Sequence, residues 1–209
     1  MAYFPFFVDI KDMPGLIVGG GRVAAEKIEK LLPFGPRLTV VAPLIREELW
    51  EKAGGDDRLL CKERAFQDGD VEDVGFVIAV TDDEKLNAHI STLCKEQGVP
   101  VNVADDKEKC SFLFPSLVKE GKLTVGISTS GASPQAAIML RRVIESNIPA
   151  KTEEILDFLA DLRSTAKERI RDSKDRAAFL KEAALFCMEQ ERILTAAEVE
   201  QRIELAKRC

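Results

Sequence analysis

The sequence is poor in metal ligands and has no pattern of paired thiols. It holds one histidine, His89, and five scattered cysteines (Cys61, Cys94, Cys110, Cys187 and Cys209) with no C-x-x-C spacing. A structural zinc site and a disulfide framework are both disfavoured, and free thiols fit a reducing cytoplasm. No apolar run approaches the ~20 residues that span a bilayer, so no membrane helix is expected. The opening Met1-Ala2-Tyr3-Phe4-Pro5-Phe6-Phe7-Val8-Asp9 lacks a basic segment ahead of its apolar stretch and a small-residue cleavage site, and does not read as a signal peptide. There is no large excess of either charge. The net charge of −6 sits on abundant acids and bases, which gives no overall pull toward nucleic acid or an anionic membrane. Aromatics are scarce, but 45% hydrophobic residues in 209 still allow a sizeable core in one or two domains.

What is present begins with a compact apolar run, Leu16-Ile17-Val18, entered through Asp12-Met13-Pro14-Gly15 and ending in Gly19-Gly20-Gly21. A short run bounded by turn residues suits a strand covered on both faces. Ala24, Ala25, Ile28, Leu31 and Leu32 then fall on one stripe, predicting a helix over 23–32 that Pro33 and Gly35 end. Further strands are expected at 37–42, 59–64, 75–80 and 99–103, with helices over 44–53 and from Thr81 to about Gln97. Thr81 and Glu84 match a capping box, and Gly98 is the stop. Residues 4–10 suit a strand or a tether. Strands alternating with helices in this order predict an α/β fold, a doubly wound parallel sheet of the Rossmann type.

The pattern changes near Cys110. Short alternating stretches at 111–114, 116–118 and 123–128, with Glu120-Gly121 as a turn, suit a small strand group. Ser133-Pro134 opens a helix to about Ser146, with serine as N-cap and proline at the first helical position. From Lys151 the chain is rich in both charges and has no strand signal. Two or three amphipathic helices are expected, broken near Ser173 and Leu194-Thr195. The division read from the sequence is a dinucleotide-binding domain over 1–112, a small α+β segment over 113–148, and a helical domain over 149–209.

Gly19-Gly20-Gly21-Arg22-Val23-Ala24 fits G-x-G-x-x-A between a strand and a helix, the context in which that pattern is informative. Gly19 allows the tight turn, Gly21 lets a pyrophosphate approach the backbone, and Ala24 keeps the helix close to the sheet. The helix N-terminus offers free N–H groups and partial positive charge to phosphates. The plain alternative is a glycine turn with no ligand. One companion is missing: no Asp or Glu lies between Glu29 and Glu47, where an acid normally grips the ribose hydroxyls. Adenosine must then be held by backbone groups and apolar contact. Arg22, Arg37 and Arg46 leave the choice between NAD and NADP open.

The carboxyl ends of the later strands carry Thr81-Asp82-Asp83 and Asn102-Val103-Ala104-Asp105-Asp106, on the rim where ligands of open α/β sheets bind. Acids there are candidate proton acceptors; their bland reading is loop and cap. His89 borders the apolar stripe of its helix and reads as structural or surface. Cys110 reads as a small buried residue rather than a metal handler. Arg141-Arg142 and the cluster Lys167, Arg169, Arg171, Lys174 and Arg176 read as solvated helix faces.

Taken in order, several stretches resemble the precorrin-2 dehydrogenase family, the N-terminal module of siroheme synthases, some members of which are also sirohydrochlorin ferrochelatases. They are Phe4-Pro5-Phe6-Phe7, the run from Leu16 through Ala24, Ala79-Val80-Thr81-Asp82-Asp83, Asn102-Val103-Ala104-Asp105, Ser111-Phe112-Leu113-Phe114-Pro115-Ser116 and Ser128-Thr129-Ser130-Gly131-Ala132-Ser133-Pro134. The resemblance covers nearly all of the first 147 residues, while the helical tail agrees in character alone. It is to the stand-alone form, which lacks the methyltransferase of longer relatives.

The resemblance implies oxidation of precorrin-2 to sirohydrochlorin with NAD, with Fe2+ insertion as a second activity in some members. It also implies a homodimer joined through the segment after Cys110, and Asp105 as the catalytic carboxylate. Cofactor contacts are expected from Gly19, Gly20, Gly21, Arg22, Val23, Ala24, Pro43, Leu44, Thr81, Asp82 and Asn102. The family's substrate-pocket serine falls on Thr129, which keeps the hydroxyl. Ser128, Ser130, Gly131 and Ser133 around it form a plausible cradle for the many carboxylates of a tetrapyrrole, against the bland reading of a helix cap. No resident metal, nucleic-acid partner or membrane partner is expected. Two other classes compete: a nucleotide-sensing regulatory module, and a metallochelatase or tetrapyrrole carrier without dehydrogenase activity. The missing ribose acid argues against the first, and the intact glycine turn against the second.

Overall fold

The computed structural model describes residues 3–104 and 106–207. The chain divides into two compact units. One runs through Pro115 and takes in Ser130–Ala132; the other holds Ser116–Thr129 and the chain from Ser133 onward. No helix of the described residues is long and apolar enough to cross a membrane.

The first unit is a five-stranded parallel sheet with the strand order β3-β2-β1-β4-β5, built from β1 (Pro14–Val18), β2 (Arg37–Ala42), β3 (Leu59–Glu63), β4 (Phe76–Ala79) and β5 (Val101–Val103). This is the Rossmann arrangement, with the order reversing at β1. Helices α1 (Arg22–Leu31), α2 (Glu47–Gly55) and α3 (Glu84–Gln97) connect the strands. The apolar run in β1 is explained by its two covered faces. Ile17 packs with Ile28 of α1 and Leu49 of α2, while Leu16 and Val18 pack with Ile90 and Cys94 of α3. All seven residues are essentially excluded from solvent. Burial of each large aliphatic side chain contributes roughly 1.5–3 kcal/mol, so the central strand is anchored from both sides.

One open choice is settled and two local expectations change. Residues 4–10 form no strand, and Phe4, Phe6 and Phe7 are about three-quarters exposed. Residues 111–114 also form no strand. The N-cap of α3 is Asp83 rather than Thr81: its carboxylate accepts the N–H groups of Lys85 (2.9 Å) and Leu86 (3.1 Å). A carboxylate at a helix start gains both the hydrogen bonds and the favourable dipole. The Thr81 hydroxyl instead meets Oδ1 of Asn87 at 2.8 Å.

The second unit begins with an antiparallel hairpin of β6 (Ser116–Glu120) and β7 (Leu123–Ile127), turning at Gly121, whose φ is +50°. Helix α4 (Pro134–Glu145) starts where Ser133 Oγ accepts the Ala136 N–H at 3.1 Å. Helices α5 (Thr152–Arg169), α6 (Ser173–Gln190) and α7 (Ala196–Ala206) share a core of Ile155, Leu162, Phe179, Ala183, Cys187 and Ile203. Asp172 caps α6. A Thr195/Glu198 capping box starts α7, and Arg192 grips the same glutamate at 2.8 and 3.0 Å.

The Arg192 guanidinium, then the Thr195 backbone N–H and hydroxyl, hold the Glu198 carboxyl down at about 2. A depressed acid stabilises the fold at neutral pH, and that stabilisation is lost as pH falls through the folded value. Thermal melts of the full chain should therefore show Glu198→Gln less stable than the parent near neutrality. The gap should close as pH is lowered from the ordinary glutamate range (about 4.3) toward about 2. A gap that stays constant with pH would assign the effect to packing.

Candidate functional site

The rim at the carboxyl ends of β1, β2 and β4 is drawn together around the glycine turn. Gly19 has φ +123°, a conformation that glycine adopts without the Cβ penalty. A Cβ there would also lie 2.5 Å from the Val80 carbonyl oxygen. At Gly20 a Cβ would fall 2.4 Å from the Leu44 carbonyl oxygen and 2.8 Å from the Ile45 Cα, and the Arg46 N–H donates to the Gly20 carbonyl at 3.0 Å. The loop after β2 is thus docked, backbone to backbone, on the glycine turn. At Gly21 the direction of a Cβ is open, with nothing within 4 Å. Gly21 is the N-cap of α1, and no side chain caps the helix or places an acid in its first turn. The first-turn N–H groups and the dipole are left for an anion, and the space in front of Gly21 lets it come close. That combination fits a dinucleotide pyrophosphate.

Of the other expected cofactor residues, Leu44 and the end of β4 meet this turn, while Asn102 lies on β5. Ala24 is fully buried and lets α1 lie close to the sheet, while Arg22 and Val23 are exposed at the start of the helix. Pro43 is exposed and Leu44 is 79% exposed, so the loop docked on Gly20 presents an apolar side chain to solvent. The three basic residues near the turn each face an acid: Arg22 with Glu26 at 3.6 Å, Arg37 with Asp12 at 3.9 Å, and Arg46 with Glu48 at 2.9 Å. Thr81 follows Val80 directly and Asp82 is exposed. Asn102 is 5% exposed, and its side chain is held within the unit by Lys27, Cys110 and Phe112. The catalytic candidate, Asp105, lies outside the described residues.

Sequence reasoning overlooked what holds the rim. Helix α3 buries two polar residues four apart, Asn87 and Ser91, beside Ile90 and Cys94. Asn87 clasps Thr81, donating to its carbonyl at 2.9 Å and accepting from its hydroxyl. Ser91 donates to the Lys109 carbonyl at 2.6 Å. One helix face therefore ties down both the loop after β4 and the loop after β5. The signal was available as polar residues at helical spacing within an apolar stripe, because buried polar groups need partners.

His89 sits on the exposed side of the same helix, with Nε2 2.7 Å from Asp68. In the second unit, Thr129 Oγ accepts the Ser133 N–H at 3.2 Å and donates to the Ser133 carbonyl at 3.0 Å, closing a local turn. Within that turn Ser130 (φ +54°) and Gly131 (φ +81°) are both left-handed. Ser128 precedes it and is exposed. Of the basic cluster, Arg169 grips Glu200 at 2.5 and 2.7 Å, and Arg176 donates to the Ile170 carbonyl at 2.9 Å. Both therefore serve the helical unit. Among the described residues no three His, Cys, Asp or Glu groups gather as a metal site.

Comparison with known proteins agrees with this geometry. Residues 6–116 match the model of the family described as "Putative NAD(P)-binding". The chain belongs to this family. The siroheme synthase of Thioalkalivibrio sulfidiphilus is 41% identical over 179 residues, which are 86% of this chain and 36% of that protein. The siroheme synthase of Ectopseudomonas mendocina is 40% identical over 179 residues, 86% of this chain and 38% of its own length. The chain thus spans well under half the length of these relatives. The solved structure titled "SirC, precorrin-2 dehydrogenase" superposes with a TM-score of 0.71 over 99% of this chain and 100% of that one. At 23% identity this is a likeness of fold.

Gly20 and Gly21 should respond differently to a methyl group. Gly20→Ala has to displace backbone, and overpacking of that kind costs roughly 1–3 kcal/mol. It should lower both the melting temperature and the affinity for NAD. Gly21→Ala should leave the melting temperature unchanged while weakening NAD binding about tenfold, equivalent to about 1.4 kcal/mol. Calorimetric titration beside thermal melts checks both, and wild-type affinity in Gly21→Ala would remove the pyrophosphate from this turn.

Proposed function

We propose that this chain oxidises precorrin-2 to sirohydrochlorin using NAD. The observation that carries the reading is the open, uncapped glycine turn at Gly19–Gly21 in a chain about 40% identical to the matching part of siroheme synthases. Bound NAD supplies a hydride acceptor. Gly19, Gly20, Gly21, Arg22, Val23 and Ala24 are assigned to the pyrophosphate end. Pro43 and Leu44 take the adenosine side in place of the missing acid, and Thr81, Asp82 and Asn102 belong to the rest of the cofactor rim. Three arginines already facing acids favour NAD over NADP.

The oxidation removes two hydrogens from the tetrapyrrole framework. One leaves as hydride and the other as a proton, which we assign to the carboxylate of Asp105, acting directly or through a water. Ser128, Thr129, Ser130, Gly131 and Ser133 are assigned to the carboxylates of the substrate. Fe2+ insertion into sirohydrochlorin is a second step open to the same residues: the ion replaces two pyrrole protons, which Asp105 can collect. Fe2+ is then substrate, not a resident metal. A homodimer is favoured by the exposed apolar residues of α4, Met139, Leu140 and Val143, which are 67%, 50% and 58% exposed. We place the dinucleotide domain at 1–112, the dimer and substrate segment at 113–148 and the helical domain at 149–209, working in the cytoplasm.

The decisive experiment supplies precorrin-2 and NAD to the purified chain and follows NADH. Formation above a protein-free control is expected. Its absence, with NAD binding intact, would favour a nucleotide-sensing module. Asp105→Ala should cut turnover by about 10²-fold or more, within the usual range for a positioned acid or base, while leaving NAD affinity near wild type. An equal loss of NAD binding would make Asp105 a cofactor or folding residue. Fe2+ added to sirohydrochlorin, read by the change in the pigment's absorbance, tests chelation separately.

A further inference from the structure

The chain leaving β4 passes directly against the glycine turn. The Val80 N–H donates to the Val18 carbonyl at 2.8 Å, and the Val80 carbonyl oxygen stands 2.5 Å from where a Cβ on Gly19 would fall. Thr81 is the next residue, so its conformation sets the course of the loop beyond the turn. All of its polar groups are engaged within the chain. Its carbonyl accepts Nδ2 of Asn87 at 2.9 Å, and its hydroxyl and backbone N–H both face Oδ1 of Asn87, at 2.8 and 3.4 Å. The hydroxyl also accepts the Asp83 N–H at 3.2 Å and lies 3.1 Å from the Asp83 carbonyl oxygen. One amide thus grips Thr81 by three groups, and the Thr81 hydroxyl in turn meets the residue that caps α3.

Packing alone gives no reason for an amide at this position. Asn87 is 6% exposed, on the helix face that carries Ile90 and Cys94. Burying a polar side chain is unfavourable unless its hydrogen bonds are made. Here they are made to a loop residue at the rim where ligands of open α/β sheets bind. Connecting loops are ordinarily mobile, and a loop already held in one course leaves a ligand less to order.

We propose that Asn87 is a positioning residue for the cofactor: by clasping Thr81 it holds the loop after β4 in the course that NAD requires, before NAD binds. Thr81 then serves binding through its position, because its hydroxyl is committed to Asn87 and Asp83. The inference rests on the assignment of NAD to the rim around Gly19–Gly21.

The test uses the full chain with Asn87→Leu, Thr81→Val and the double variant, read by calorimetric titration with NAD, amide hydrogen exchange and steady-state kinetics. Leucine removes the amide and valine the hydroxyl, each keeping a branched shape. Asn87→Leu should quicken exchange within 80–83 and leave β1 and β4 protected. It should weaken NAD binding about tenfold, the scale of one loop residue left for the ligand to order. Thr81→Val keeps the carbonyl bond to Asn87 and should weaken binding less, about threefold. The double variant should bind as Asn87→Leu does, because residues that act as one unit are not additive. In turnover, KM for NAD should rise while kcat stays within about twofold, as for lost binding alone. Wild-type affinity in Asn87→Leu would overturn the proposal. So would losses that multiply in the double variant, since the Thr81 hydroxyl would then touch NAD itself, or exchange that quickens across the whole sheet, which would reduce Asn87 to packing. Where leucine prevents folding, Thr81→Val decides: weaker binding with quickened exchange at 80–83 supports the clasp, and unchanged binding or unchanged exchange refutes it. If the unaltered chain binds no NAD, the cofactor reading fails and the proposal with it; if it binds NAD and the variants bind it equally well, the clasp alone fails.

Discussion

A backbone carbonyl, that of Leu44, occupies the space a side chain on Gly20 would need. Much of the cofactor rim depends on that approach. It docks the loop after β2 on the turn after β1, and a second close approach, Gly19 to the Val80 carbonyl, brings in the end of β4. The three strand ends are therefore joined through backbone, and Gly21 alone among the three glycines faces open space. The usual acid at the end of β2 is absent, and the loop that replaces it is apolar and seated by backbone contact.

The opposite part of the rim is held by a different device. Helix α3 turns an apolar stripe toward the sheet and sets Asn87 and Ser91 within it. Each of these buried polar groups is satisfied by a rim loop, so the requirement to pair them is the constraint that orders those loops. Cys110 and Asn102 continue the same logic one strand further.

The second unit owes its stability to aliphatic packing across α5, α6 and α7, with carboxylate caps at Asp172 and Glu198 setting where α6 and α7 begin. Helix α4 departs from this pattern. It leaves Met139, Leu140 and Val143 facing solvent. The basic cluster that reads in the sequence as a solvated helix face is partly used inside the helical unit: Arg169 pairs with Glu200 of α7, and Arg176 donates to the Ile170 carbonyl at the end of α5.

The sequence by itself determined the parallel sheet, the glycine turn, the Ser133-Pro134 helix start and the helical tail. Each is written in local terms: a short apolar run between turn residues, a spacing of glycines, a cap followed by proline, a period of apolar positions. What the tertiary structure decided lies between distant segments. Nothing local in Thr81-Asp82-Asp83-Glu84 says that Asn87 would draw the threonine hydroxyl away and leave Asp83 as the cap. Nothing in Gly20 announces that Leu44 would arrive against it. The polar pair in α3 was legible as a pattern, but its partners at Thr81 and Lys109 were not, because hydrogen-bond satisfaction is settled by whichever groups the fold brings within reach. Cys110 has the same history: as a lone cysteine in sequence it marks a small buried residue, and its hydrogen bonds emerge once Val103, Asn102 and Asp106 stand around the sulfur.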